Sequence, residues 1–213
     1  NTSTATPQTF REVTTTYDGH GRTKTRHYPI EDAEAKTTWD YNPDGSAKQV
    51  TDPRGAVTDI TYNVLGSTTQ IAYTPVSGLP DTPTVTFGYD DLGNRVSMDT
   101  AGVSEVTYAY DPLSRMTSET VNFDDLANNL TIGYTYGLTG LKSITDPSGK
   151  EIEYAKDRAG RLTAVTGDAF GQNTTGTYAS GIEYRAFGQV KQMDYNLSNG
   201  NSRIKLDYDN RLR

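Results

Sequence analysis

The chain has no cysteine, and only 2 histidines, 3 methionines and 1 tryptophan in 213 residues. Without cysteine, neither a disulfide framework nor a thiolate metal site can exist. His20 and His27 are not accompanied by a recognisable nucleophile, base and orienting acid, and both read as exposed residues of the first repeat. Long apolar runs are also missing. No segment approaches the length of a membrane-crossing helix, no signal-type apolar core stands near the N-terminus, and no amphipathic helix of useful length is legible. Positive charge is in deficit, with 20 Lys and Arg against 27 Asp and Glu, a net charge of −7. The basic residues are scattered, which argues against nucleic acid or an anionic membrane as the main partner and against membrane insertion. The sequence opens on Asn1 rather than Met, which fits a processed product or a part of something larger.

What the chain has instead is 15 tyrosines and 20 glycines within an apolar fraction of only 33%. That balance suits a thin, solvent-washed sheet better than a deep core, because aromatic and β-branched residues fit a half-buried pleated surface. These residues recur in copies. The clearest is Val106 to Arg115, V-T-Y-A-Y-D-P-L-S-R. Aligned on its last aromatic, the chain shows Tyr17, Tyr41, Tyr62, Tyr89, Tyr110, Tyr136, Lys156 in place of Tyr, Tyr184 and Tyr208. The anchors are spaced by about 24 residues on average, a period typical of repeat architectures. Two positions before them stand residues such as Trp39, Ile60, Phe87, Tyr108, Tyr134 and Ile182, and four before stand Val85, Val106, Ile132 and Ile152. A spacing of two puts all three positions on one face of a strand.

Four residues after the anchor comes Gly21, Gly45, Gly66, Gly93, Gly140, Gly160 or Gly188, with Ser114 as the exception. Glycine at a fixed offset implies a turn that needs positive φ. Nine after the anchor a second apolar site marks a returning strand at Val50, Ile71, Met98, Val165 and Met193, with Ile144 one residue early. In two copies this strand runs into T-D-P-x-G, Thr51 to Gly55 and Thr145 to Gly149, a second turn. The fold class is therefore all-β: antiparallel β-hairpins stacked into a curved strip or β-solenoid shell. Residues 1–12 read as a lead-in and 13–213 as a single domain of about nine repeats, the last lacking its returning strand. About 18 strands at ~4.8 Å each would make a strip about 86 Å long. Length differences fall at Thr74 to Thr84, Asn122 to Asn129 and Gly167 to Ser180, which read as loops.

The stretches Y-A-Y-D-P-L-S-R at 108–115, F-G-Y-D-D-L-G-N-R at 87–95 and Y-A-K-D-R-A-G-R-L at 154–162 resemble the YD repeats of the Rhs family. The resemblance spans roughly residues 13–213. Similar repeats occur in bacterial Rhs toxins, in the C-type components of insecticidal toxin complexes, in wall-associated proteins and in teneurins. It implies hairpins stacked side by side in a strip that spirals into a hollow shell. In the toxins such a shell encloses a cytotoxic domain, and in the teneurins it belongs to an extracellular adhesion assembly.

The anchor tyrosines read as a packing ladder between hairpins rather than a sugar platform, and Trp39 shares that ladder. Asp40 to Thr51 begins like a calcium loop, D-x-N-x-D-G, but its twelfth position is Thr51 where a bidentate Glu is needed, so no metal site is assigned. No cofactor is implied, no catalytic constellation stands out, and the chain reads as non-enzymatic. The leading expectation is an exported, structural shell or scaffold segment at the cell surface or secreted. Its partners would be its own copies, stacked head to tail through open edge strands, or flanking repeats of a longer chain. The alternative is an extracellular adhesin or glycan-binding module, with glycans as partners.

Overall fold

The computed structural model describes residues 12–29, 35–168, 175–197 and 200–208. The 1–12 lead-in lies outside them but for Glu12. The described residues form 17 strands and no helix. In chain order these are β1 (Thr14–Tyr17), β2 (Thr23–His27), β3 (Thr37–Tyr41), β4 (Ala47–Thr51), β5 (Val57–Tyr62), β6 (Thr68–Thr74), β7 (Val85–Tyr89), β8 (Arg95–Thr100) and β9 (Ser104–Tyr110). There follow β10 (Met116–Phe123), β11 (Leu130–Gly137), β12 (Gly140–Thr145), β13 (Glu151–Lys156), β14 (Leu162–Asp168), β15 (Thr175–Tyr184), β16 (Val190–Leu197) and β17 (Gly200–Lys205).

Contacts gather the chain into two compact units, one of residues 1–105 and 123–125, the other of residues 106–122 and 126–213. In the first unit, β1 through β7 each pair antiparallel with the next strand in the chain. In the second, β10 through β16 do the same. A meander of this kind follows from short turns, since antiparallel neighbours need only a tight connection.

The apolar sites two before and nine after each anchor meet directly across the hairpin. Trp39 opposes Val50, Ile60 opposes Ile71, Phe87 opposes Met98, Tyr134 opposes Ile144 and Tyr154 opposes Val165. Cross-strand pairs of aromatic and branched residues are what stabilise a sheet face. Little of that face is sealed, however. Only Val106, Ala179 and Ile182 among the described apolar residues are buried, and Ser143 is the one fully buried polar residue. Ser143 is satisfied by the Thr135 hydroxyl at 2.5 Å across the β11–β12 hairpin.

The anchors themselves sit where the register slips. The shift falls between Thr16 and Tyr17, Asp40 and Tyr41, Thr61 and Tyr62, Gly88 and Tyr89, Thr135 and Tyr136, Ala155 and Lys156, and Glu183 and Tyr184. A bulge at the same place in these seven repeats re-aims the anchor side chain. Of the segment Gly167 to Ser180, Gly167 and Asp168 belong to β14 and Thr175 to Ser180 to β15, so its described residues are strand rather than loop, while 169–174 lie outside the described residues. Glycine misleads there because it acts as a spacer. A Cβ on Gly167 would lie 2.6 Å from the Glu151 carbonyl oxygen and 3.1 Å from the Tyr178 ring.

Two substitutions test this reading by urea denaturation. Gly167→Ala is expected to destabilise by about 1–3 kcal/mol, the cost of overpacking a tight site. Ser114, at φ 58°, is the one described non-glycine residue with positive φ. Ser114→Gly should therefore stabilise by about 1 kcal/mol by relieving a left-handed side chain.

Candidate functional site

The repeated unit of chemistry is the turn that follows each anchor. Two backbone hydrogen bonds close it: the amide of the residue after the anchor donates to the carbonyl four further on, and the turn glycine donates back. In the first repeat these are Asp18 N to Arg22 O at 2.9 Å and Gly21 N to Asp18 O at 3.1 Å. The same pair recurs at Asn42, Asn63, Asp90, Asp111, Asp157 and Arg185. The glycines singled out from the sequence, Gly21, Gly45, Gly66, Gly93, Gly140, Gly160 and Gly188, have φ between 78° and 95°.

The aspartate of the motif then clamps the turn from within. Asp111 Oδ1 accepts from the amides of Leu113 at 2.9 Å and Arg115 at 3.0 Å, while Oδ2 accepts from the Arg115 guanidinium. Asp18 and Asp157 repeat this with Arg22 and Arg161. Asn63 accepts the two amides alone, and Asp90 adds the Asn94 side chain. The arginine partner was not singled out from the sequence, although its recurrence five residues after the anchor, at Arg22, Arg115 and Arg161, was visible there. The two T-D-P-x-G turns use Asp52 and Asp146 in the same way. Within the D-x-N-x-D-G stretch, Asp44 accepts from the amide and hydroxyl of Ser46 and so serves the turn.

These bonds hold the carboxyls below their ordinary range. For Asp18 desolvation pushes the value up, but the amides of Arg22 and His20 and the Arg22 guanidinium overcome it and bring it to about 2. Asp111 is lowered chiefly by the Arg115 side chain, Asp157 by the Arg161 amide and guanidinium, Asp90 by Asn94 and Asp146 by the Ser148 hydroxyl. A carboxylate that accepts several donors titrates low for this reason.

The anchors link one repeat to the one before it. Tyr41 donates its hydroxyl to the Thr23 carbonyl at 2.7 Å, Tyr62 to Ala47 at 2.9 Å, and Tyr89 to Thr68 at 2.8 Å. In the second unit Tyr136 donates to Met116 at 2.8 Å, Tyr184 to Leu162 at 2.9 Å and Tyr208 to Val190 at 2.8 Å. Each acceptor is the sixth residue after the preceding anchor, the first of a returning strand. The arginine of the preceding clamp lies on the same ring: Arg22 is 4.4 Å from the Tyr41 centroid, Arg115 4.5 Å from Tyr136 and Arg161 4.9 Å from Tyr184. Tyr17 ends β1, where it is 62% exposed, and Tyr110 ends β9.

One repeat departs from the scheme. Gly137 pairs with Gly140 around a two-residue loop, Leu138 and Thr139, with no aspartate clamp. The anchor that follows it is Lys156, whose ammonium donates to the Thr139 carbonyl at 3.1 Å. At the end of the second unit, Arg185 replaces the aspartate and reaches forward to Asp207 at 2.7 Å and the Leu206 carbonyl at 2.9 Å.

No group of three or more His, Asp or Glu residues that could hold a metal occurs among the described residues. Two open cavities lie on T-D-P-x-G turns. One, of about 440 Å³, is floored by Val50 and Thr58 and walled by Tyr73 and the 75–82 loop. The other, of about 290 Å³, is lined by Ile144, Ile152, Tyr178, Asp146 and Lys150.

With this geometry in view, comparison with known proteins finds that the teneurin YD-shell profile matches residues 30–169. No curated protein matches the sequence. Solved structures of the TcdB2–TccC3 complex share the fold at 16% identity. One has a TM-score of 0.70 over 98% of this chain and 13% of that chain, and another, with a TEV designation, has a TM-score of 0.70 over 86% and 10%. A third, lacking a hypervariable C-terminal region, has a TM-score of 0.69 over 93% and 12%. The chain thus spans roughly a tenth of the length of those relatives.

Two measurements probe the turn and the link. Tyr62→Phe and Tyr136→Phe keep the ring and lose the hydroxyl, and each should lower stability by about 1 kcal/mol in urea melts. The depressed aspartates contribute stability that is present above their unfolded value of about 3.9 and is lost as pH falls toward about 2. The urea midpoint should be flat near neutrality and drop across that acid window, and Asp111→Asn should make the drop shallower.

Proposed function

We propose, from the premise that this chain belongs to the teneurin YD-shell family, that it is a wall segment: a non-catalytic, exported structural piece whose work is to extend a strip of hairpins. The family is one of structural shells, and the hairpin stack is its fold. The observation that carries the reading is the tyrosine link, in which six of the nine anchors place their hydroxyl on a carbonyl of the preceding repeat. The site residues thereby serve construction. Three of the rings have one face covered by arginine, which leaves them poorly suited to stacking a sugar.

The finer reading is growth at the strip's ends, at the cell surface or after secretion. β1 hydrogen-bonds to β2 along one side and β17 to β16 along one side, and on this reading their other sides are open rows of backbone groups. A copy of the chain or a flanking repeat of a longer one would satisfy them by strand addition.

Limited proteolysis should cut first at 74–84 and 122–129 and leave fragments bounded by whole repeats. Hydrogen exchange should show comparable protection from repeat to repeat within each unit; a single protected core unrelated to the repeat would overturn the wall reading. Deleting Leu206 to Arg213 removes the Tyr208 link. It should change the native mass measured by light scattering if β17 is the joint.

A further inference from the structure

The first anchor differs from those that follow it. Tyr41, Tyr62 and Tyr89 in the first unit and Tyr136, Tyr184 and Tyr208 in the second are half-buried, each with its hydroxyl on the carbonyl of the sixth residue after the preceding anchor. Three of these rings also lie under the arginine of the preceding clamp. Tyr17 has neither. It is 62% exposed, and among the described residues no group bonds its hydroxyl and no arginine covers its ring. Val13, four before the anchor, is bare as well. It is 50% exposed, whereas its counterparts Val85 and Ile132 are half-buried and Val106 is buried.

We propose that Tyr17 and Val13 are the docking surface for a hairpin of the same repeat standing ahead of β1 in the same polypeptide. The first carbonyl of that hairpin's returning strand accepts the Tyr17 hydroxyl, and its clamp arginine lies on the Tyr17 ring. The occupant follows from the later repeats, where those two groups are what meets an anchor. Two grounds favour a flanking hairpin over a separate copy. All six links run within one chain to an acceptor 15 to 22 residues earlier, so a short connection holds the partner at high effective concentration. In addition, β1 is only 4 residues long, and the contact it offers falls far below the ~1,200 Å² that a stable interface between separate molecules buries.

This inference rests on the wall reading and names the side chains and partner groups of one of its joints. The test is hydrogen exchange on the full chain with and without an added hairpin. Two extensions are compared, copies of Val106 to Val121 and of Ile152 to Gly167, each fused ahead of Asn1. Either one places its acceptor carbonyl, the copied Met116 or Leu162, 22 residues before Tyr17, the separation found between Leu162 and Tyr184. The β1 amides are expected to exchange at least about tenfold more slowly in an extended chain than in the wild type. Tyr17→Phe should speed them about fivefold in the extended chain, the loss of one ordinary hydrogen bond, and leave them unchanged in the wild type. The proposal is overturned if neither extension slows β1, or if Tyr17→Phe already speeds exchange in the wild type. It is equally overturned if wild-type β1 protection grows with protein concentration and is lost in Tyr17→Phe, which would give the site to a second copy. The wall reading fails separately, through a wild-type exchange pattern with one core unrelated to the repeat.

Discussion

A hydroxyl that must find a carbonyl one repeat back is the constraint on which the rest of this molecule depends. Within each unit the meander has almost nothing sealed against it, and Val106, Ala179 and Ile182 alone count as buried among the described apolar residues. Apolar burial, normally the dominant favourable term, is therefore spread thinly over half-covered faces. Under those conditions the geometry of each hairpin relative to its predecessor has to be set by directional contacts. The bulge at the anchor turns the tyrosine backward, the glycine turn delivers a carbonyl at a fixed place, and the aspartate keeps that turn from opening. Each part is needed for the next.

The exceptions show how tightly these parts are coupled. Where the turn shrinks to Leu138 and Thr139, the following anchor becomes Lys156, a longer and more flexible donor that reaches a carbonyl within the loop itself. Where the clamp aspartate becomes Arg185, the guanidinium bonds forward to Asp207 and sits 5.7 Å from the Tyr208 ring. Ser114 keeps the left-handed backbone without glycine, and its turn retains both backbone hydrogen bonds. The turn conformation is thus held more strictly than the residue that adopts it.

Much of this was legible in the sequence because it is periodic. The alternation to Tyr41, Tyr62 or Tyr89 set the strand face, and glycine at a constant offset set the turn. What was not legible is what spacing cannot express. The acceptor of each tyrosine is a backbone carbonyl, the same atom in every residue, so no side chain in the sequence marks Thr23, Ala47 or Met116 as special. The arginine clamp was visible as a recurrence but lacked meaning until Asp111 and Arg115 were seen in contact. Gly167 misled because a glycine that makes room for the Tyr178 ring looks the same in sequence as one that makes a turn. At 16% identity to the TcdB2–TccC3 chains, pattern carries the likeness where residue identity does not.

The backward reach of the tyrosines gives the strip a polarity that bears on how it is made. Every linked hairpin finds its acceptor in chain already synthesised: Thr23 precedes Tyr41, Ala47 precedes Tyr62, and Val190 precedes Tyr208. A nascent chain leaving the ribosome can therefore dock each hairpin on a finished one as soon as its tyrosine emerges. It never waits for a distant C-terminal partner, and the loops it must close stay at one repeat length however long the strip becomes.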